Sequence, residues 1–71
     1  MNRETGFLDK NKNMIHEGDT LVRECHWDSK VVWNDKQQEF MLEIIHDDPD
    51  MRFQFELKYE HRSWTIKKQG M

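Results

Sequence analysis

The stretch Lys30-Val31-Val32-Trp33-Asn34-Asp35-Lys36-Gln37-Gln38-Glu39-Phe40-Met41-Leu42-Glu43-Ile44-Ile45 decides the fold class. Val31 and Trp33 fall on one face of an extended segment, Asn34 to Gln37 supplies a turn, and Phe40, Leu42 and Ile44 share a face of the segment that follows. This reads as a β-hairpin. A helix is the competing reading only over Gln37 to Ile45, where Phe40, Met41, Ile44 and Ile45 stand at helical spacing. The β-branched and aromatic content favours the strand.

Outward from this hairpin, Met51 to Lys58 alternates without error. Met51, Phe53, Phe55 and Leu57 face one way and Arg52, Gln54, Glu56 and Lys58 the other, as in a half-buried strand. Ser63 to Lys68 repeats the pattern with Trp64 and Ile66, so the two segments are expected to pair across Tyr59 to Arg62. Thr20 to His26 is a further extended candidate. Pro49, in His46-Asp47-Asp48-Pro49-Asp50, marks a loop between the two hairpins. Thr5 to Val22 reads as two turns around a short extended segment, with Gly18 providing a corner at Glu17-Gly18-Asp19. The expected fold is all-β: one domain over 1–71, about five antiparallel strands in a small sheet curled into a barrel-like form that limits exposed edges. Its expected core is Val31, Trp33, Phe40, Leu42, Ile44, Phe53, Phe55, Leu57, Trp64 and Ile66.

Composition narrows the function. With 71 residues the chain has room for a thin core only, since a domain of this size buries about 60% of its unfolded surface. Charged residues make up 35% of the chain and the net charge is −3; aromatics spread from Trp27 to Trp64 argue for a folded domain rather than disorder. Cys25 is the single cysteine, which excludes an intramolecular disulfide and a site of several thiolates, and points to a reducing cytoplasm. No apolar run approaches the ~20 residues of a spanning helix, and no charged-then-apolar leader opens the chain. A soluble, cytoplasmic protein without membrane contact is expected.

Thr5-Gly6, Asp9-Lys10-Asn11-Lys12, Ile15, Glu17-Gly18-Asp19, Leu21-Val22, Val31-Val32-Trp33 and Phe40-Met41-Leu42-Glu43 form a series of motifs from Thr5 to Glu43. Through these residues the first half resembles the YopX family of phage and prophage proteins. The family's turn glycine is replaced here by Lys12 or Asn13, its aromatic before Glu-Gly-Asp by His16, and the C-terminal third follows no pattern of the family. The resemblance implies a mostly β fold and a phage or prophage origin. It brings no catalytic residues and no established activity.

Sites of chemistry are sparse. Cys25 and His26 are adjacent, so on a strand they point to opposite faces and do not share an ion; the Asp47-Asp48-Pro49-Asp50 loop lacks calcium-loop spacing. His16, His26, His46 and His61 lie in separate segments, and a domain this thin scarcely encloses a water-excluding pocket. No enzyme, cofactor or metal is expected. Two binding classes remain. In the leading one the chain is an accessory protein-interaction module that pairs with a host or phage protein, or with itself as a homodimer, through a sheet edge or an aromatic patch. An acidic face around Glu43, Asp47, Asp48 and Asp50 would suit the basic groove of a host nucleic-acid-binding protein. In the alternative the domain binds single-stranded nucleic acid, stacking bases on exposed aromatics beside basic residues, against which the overall acidity counts. The candidate contact residues for either class are Trp27, Tyr59, Arg62, Lys67 and Lys68.

Overall fold

A computed structural model describes residues 3–45 and 53–67. Their elements are β1 (Glu4–Leu8), β2 (Met14–His16), β3 (Thr20–Val22), β4 (Ser29–Asn34), β5 (Glu39–Ile44), β6 (Gln54–Glu56), a single helical turn α1 (Leu57–Glu60) running into a 3-10 turn (His61–Ser63), and β7 (Thr65–Ile66). The strands form an antiparallel five-stranded sheet in the order β6-β5-β4-β3-β7 and a separate β1-β2 hairpin.

The β4-β5 hairpin is the centre of the larger sheet. Its register pairs Val31 with Leu42 and Trp33 with Phe40, and Gln38 closes the turn at a φ of 55° while its side-chain amide donates to the Asp35 carbonyl at 2.6 Å. Ladder register sets Leu21, Val31, Leu42 and Phe55 on one face of the sheet, because residues directly opposite in a ladder project together.

That face is covered by the β1-β2 hairpin. Ile15, Leu21, Val31, Leu42, Leu57 and Trp64 form the buried cluster, with Phe7, Phe40 and Ile66 packed against it. Arg3 closes one end: its guanidinium lies 4.8 Å from the Trp33 ring centroid and 5.4 Å from that of Phe40, and pairs with Glu17 at 2.9 Å. Two corners dock the hairpin onto the sheet. At Glu17-Gly18-Asp19, Gly18 adopts a φ of 92° and donates to the Val31 carbonyl, while Val31 donates to the Asp19 carbonyl. At the β1-β2 turn, the Asp9 carboxylate, only 4% exposed, accepts from the backbone N–H groups of Asn11, Asn13 and Ile66.

The structure corrects the sequence reading in five respects. Neither sheet closes into a barrel: β6 and β7 stand at opposite ends of the larger sheet and do not pair. The expected hairpin of Met51–Lys58 with Ser63–Lys68 is therefore absent. Among the described residues β6 lies on β5 and β7 on β3, because the chain leaves the strand at Leu57 for a helical turn that carries it across the sheet. The strand expected over Thr20 to His26 stops at Val22; Arg23 to His26 is a turn, with Cys25 at a φ of 64° and the His26 N–H on the Arg23 carbonyl. Conversely, Glu4–Leu8 is a strand rather than part of a turn, its ladder interrupted at Gly6, whose φ is 83°. The core also shifts. Phe53 and Phe55 are exposed, Trp33, Phe40, Ile44 and Ile66 are half-buried, and Ile15, Leu21 and Met41 are buried instead. The proline loop and the acidic residues Asp47, Asp48 and Asp50 lie outside the described residues, as do Met51 and Lys68.

Candidate interaction surface

The apolar face of the larger sheet extends further than its cover. The β1-β2 hairpin, Leu57 and Trp64 sit over Leu21, Val31 and Leu42, whereas the same face continues to Phe55 on β6, which the described residues leave open. Phe55 is 42% exposed, Phe53 52% and Trp27 51%, and Ile45, which follows Ile44, is exposed as well. A groove of about 550 Å³ opens there, lined by Cys25, His26, Trp27, Ile44 and Phe55.

Local structure explains why these side chains meet. The turn after β3 turns Trp27 back toward β5, and the Ile45 N–H then donates to the Asp28 carbonyl at 2.9 Å. The Ile44 N–H donates to the Phe53 carbonyl at 3.0 Å, so in the alternating pattern of an antiparallel ladder Gln54 directs its backbone N–H and C=O away from β5. Among the described residues no strand pairs with that outer side of β6. A second groove, of about 380 Å³, adjoins the same strand, with Phe55, Met41, Gln54 and Tyr59 among its lining residues. Charge gathers at this end too: Lys58 lies 3.3 Å from Glu56 and 3.9 Å from Glu39. Its ammonium is held above the ordinary lysine range by the hydrogen bond to Glu56 and then by the charge of Glu39.

The five residues singled out from the sequence do not assemble into one site. Trp27 and Tyr59 line the two different grooves that share Phe55, and Tyr59 is 72% exposed with the Lys58 ammonium 5.2 Å from its ring centroid. Arg62 belongs to a separate cleft with Lys10 and Arg23. Lys67 is ion-paired with Asp28 at 3.2 Å, and Lys68 lies outside the described residues. Sequence reasoning missed Phe55 and Ile44 as surface residues because alternation tells which residues share a face and not how far that face is covered. It missed Lys10 and Arg23 because long-range ties to the Trp64–Ile66 segment bring their segments together.

Comparison with protein-family models, with curated proteins and with solved structures found no match for this chain. Among the described residues no three His, Cys, Asp or Glu side chains are grouped to hold a metal ion, and no helix is long and apolar enough to cross a membrane.

Proposed function

We propose that this chain is a protein-interaction module that receives an extended segment of a partner protein along the outer edge of β6, with an apolar side chain of that segment seated between Trp27, Ile44 and Phe55. The observation that carries this reading is the coincidence, among the described residues, of an uncovered apolar face with an unpaired strand edge. Either feature alone is common on small β domains. Together they offer what strand addition requires, namely main-chain groups for affinity and a pocket for alternate side chains. A phage- or prophage-encoded accessory protein acting in the cytoplasm, the setting implied by the YopX resemblance, is the context we assign to it; the exposed thiol of Cys25 fits a reducing compartment.

The test is capture of partners from host lysate by the tagged protein, run in parallel with Phe55→Lys and with Asn11→Lys in the β1-β2 turn, an exposed residue that lines neither groove beside Phe55. The expected result is a discrete protein retained by the parent and by Asn11→Lys and lost with Phe55→Lys, all three proteins keeping the same circular dichroism. Sedimentation of the same samples distinguishes a second copy as the occupant. A mass that rises with concentration from 8.8 kDa, and does so only with Phe55 intact, makes the complex a homodimer. Retention indifferent to Phe55→Lys, in a chain that stays monomeric, contradicts the reading.

A further inference from the structure

A second surface, away from β6, carries a different chemistry. Lys10 stands in the β1-β2 turn, Arg23 just after β3, and Arg62 in the 3-10 turn, yet all three line one cleft of about 390 Å³. Three ties hold their segments together: the Lys10 N–H on the Trp64 carbonyl at 2.8 Å, the Ile66 N–H on the Asp9 carboxylate at 3.0 Å, and the β3-β7 ladder. None of the three cations takes part in an ion pair among the described residues, in contrast to Arg3, Lys58 and Lys67. Ser63 adds a hydroxyl to the cleft, and Glu24 is the acid that lines it.

A second groove, of about 580 Å³, shares Lys10 and Arg62 with the first. It has a different character, with Phe7, Leu8 and Gly6 along it and Lys12 at its rim. The His61 ring lies against Phe7 with centroids 4.9 Å apart, and its Nδ1 sits 2.6 Å from the Leu8 carbonyl. Across the two grooves four cations face the carboxylates of Asp9 and Glu24, and the Asp9 carboxylate is already engaged by three backbone N–H groups. A locally cationic surface on a chain of net charge −3 is a site rather than a general property of the protein. Within a Debye length of about 10 Å the local charges outweigh the distant ones.

We propose that these two grooves form a binding site for a nucleoside phosphate, with the phosphate between Lys10, Arg23 and Arg62 and the base against Phe7 and His61. Guanidinium groups on separate segments grip phosphate oxygens by charge-assisted hydrogen bonds, and an aromatic wall beside them accepts the flat face of a base. Two sources share this chemistry, a free nucleotide and a single strand.

The experiment is a titration of the ¹⁵N-labelled full chain at low ionic strength, once with thymidine monophosphate and once with a short oligothymidylate. The expected result is saturable movement of the amide signals of Phe7, Lys10, Arg23 and Arg62. The double variant Arg23→Ala with Arg62→Ala weakens binding about tenfold or more, whereas Lys36→Ala leaves it unchanged. Saturation by the monophosphate alone assigns the free nucleotide as source. Saturation by the strand, with a slope of log affinity against log salt of about −2 if three phosphates are contacted, assigns nucleic acid. No saturation with either probe overturns the proposal. So do signals that move around Trp27 and Phe55 instead, or equal weakening by the Lys36→Ala control.

Discussion

Asp9 joins the β1-β2 turn to β7 through one side chain. Its two carboxylate oxygens take the N–H groups of Asn11, Asn13 and Ile66, and its own backbone closes the β1-β2 turn with Asn13 and Lys12. Burial by itself pushes the Asp9 carboxyl upward, but the bonds from Asn13, Ile66 and Asn11 together hold it below the ordinary aspartate range. Asp9→Asn keeps the shape and replaces one acceptor oxygen by an NH₂ that faces a backbone donor. The expected cost is about 2–3 kcal/mol, read as a lower urea midpoint. Because the native pKa is depressed, this stabilisation is fully present above the unfolded value of about 4 and is lost as pH falls through the native one. The gap between parent and Asp9→Asn is therefore wide at neutral pH and narrows below about pH 4. An equal gap at acid and neutral pH would mean that the carboxylate charge contributes nothing. Sequence showed Asp9 as a turn residue; its bond to Ile66, 57 positions away, has no local signature.

Among the elements, the β1-β2 turn contains a correctable conflict between residue and conformation. Lys12 adopts a φ of 65°, a region that costs an L-residue about 1–2 kcal/mol. Lys12→Gly removes that strain and loses some of it again through the greater freedom of glycine in the unfolded chain. A net gain of about 0.5–1 kcal/mol is expected, seen as a higher melting temperature. Unchanged or lower melting would place the strain elsewhere.

The central hairpin was legible because alternation, turn residues and β-branched content all agree from Lys30 to Ile45. The segment after β6 was not. The alternation of Phe53, Phe55 and Leu57 puts all three in the core, where only Leu57 is buried. Periodicity over so few residues does not reveal that the helical turn begins at Leu57, nor that it delivers Trp64 under the β1-β2 hairpin. The pairing partner of each short strand was likewise hidden, since tertiary ties rather than local sequence bring β7 to β3.

At the scale of the whole molecule, a small cover lies on a larger sheet and leaves one end bare. Stability and binding therefore reside in different apolar residues of the same face. Leu57→Ala, at a fully buried position, is expected to cost about 2–5 kcal/mol, enough to unfold much of so small a domain. Phe55→Ala, at a residue 42% exposed, is expected to cost about 1 kcal/mol. Chemical denaturation of the two variants separates them, and similar losses would return Phe55 to the core. The most direct test of the docking surface is site-specific photo-crosslinking in host cells, with a benzoylphenylalanine replacing Phe55 in one variant and Asn11 of the β1-β2 turn in another. A single defined adduct from the Phe55 position, absent from the Asn11 position, is the expected result. No adduct at Phe55, or the same adducts from both positions, would contradict it.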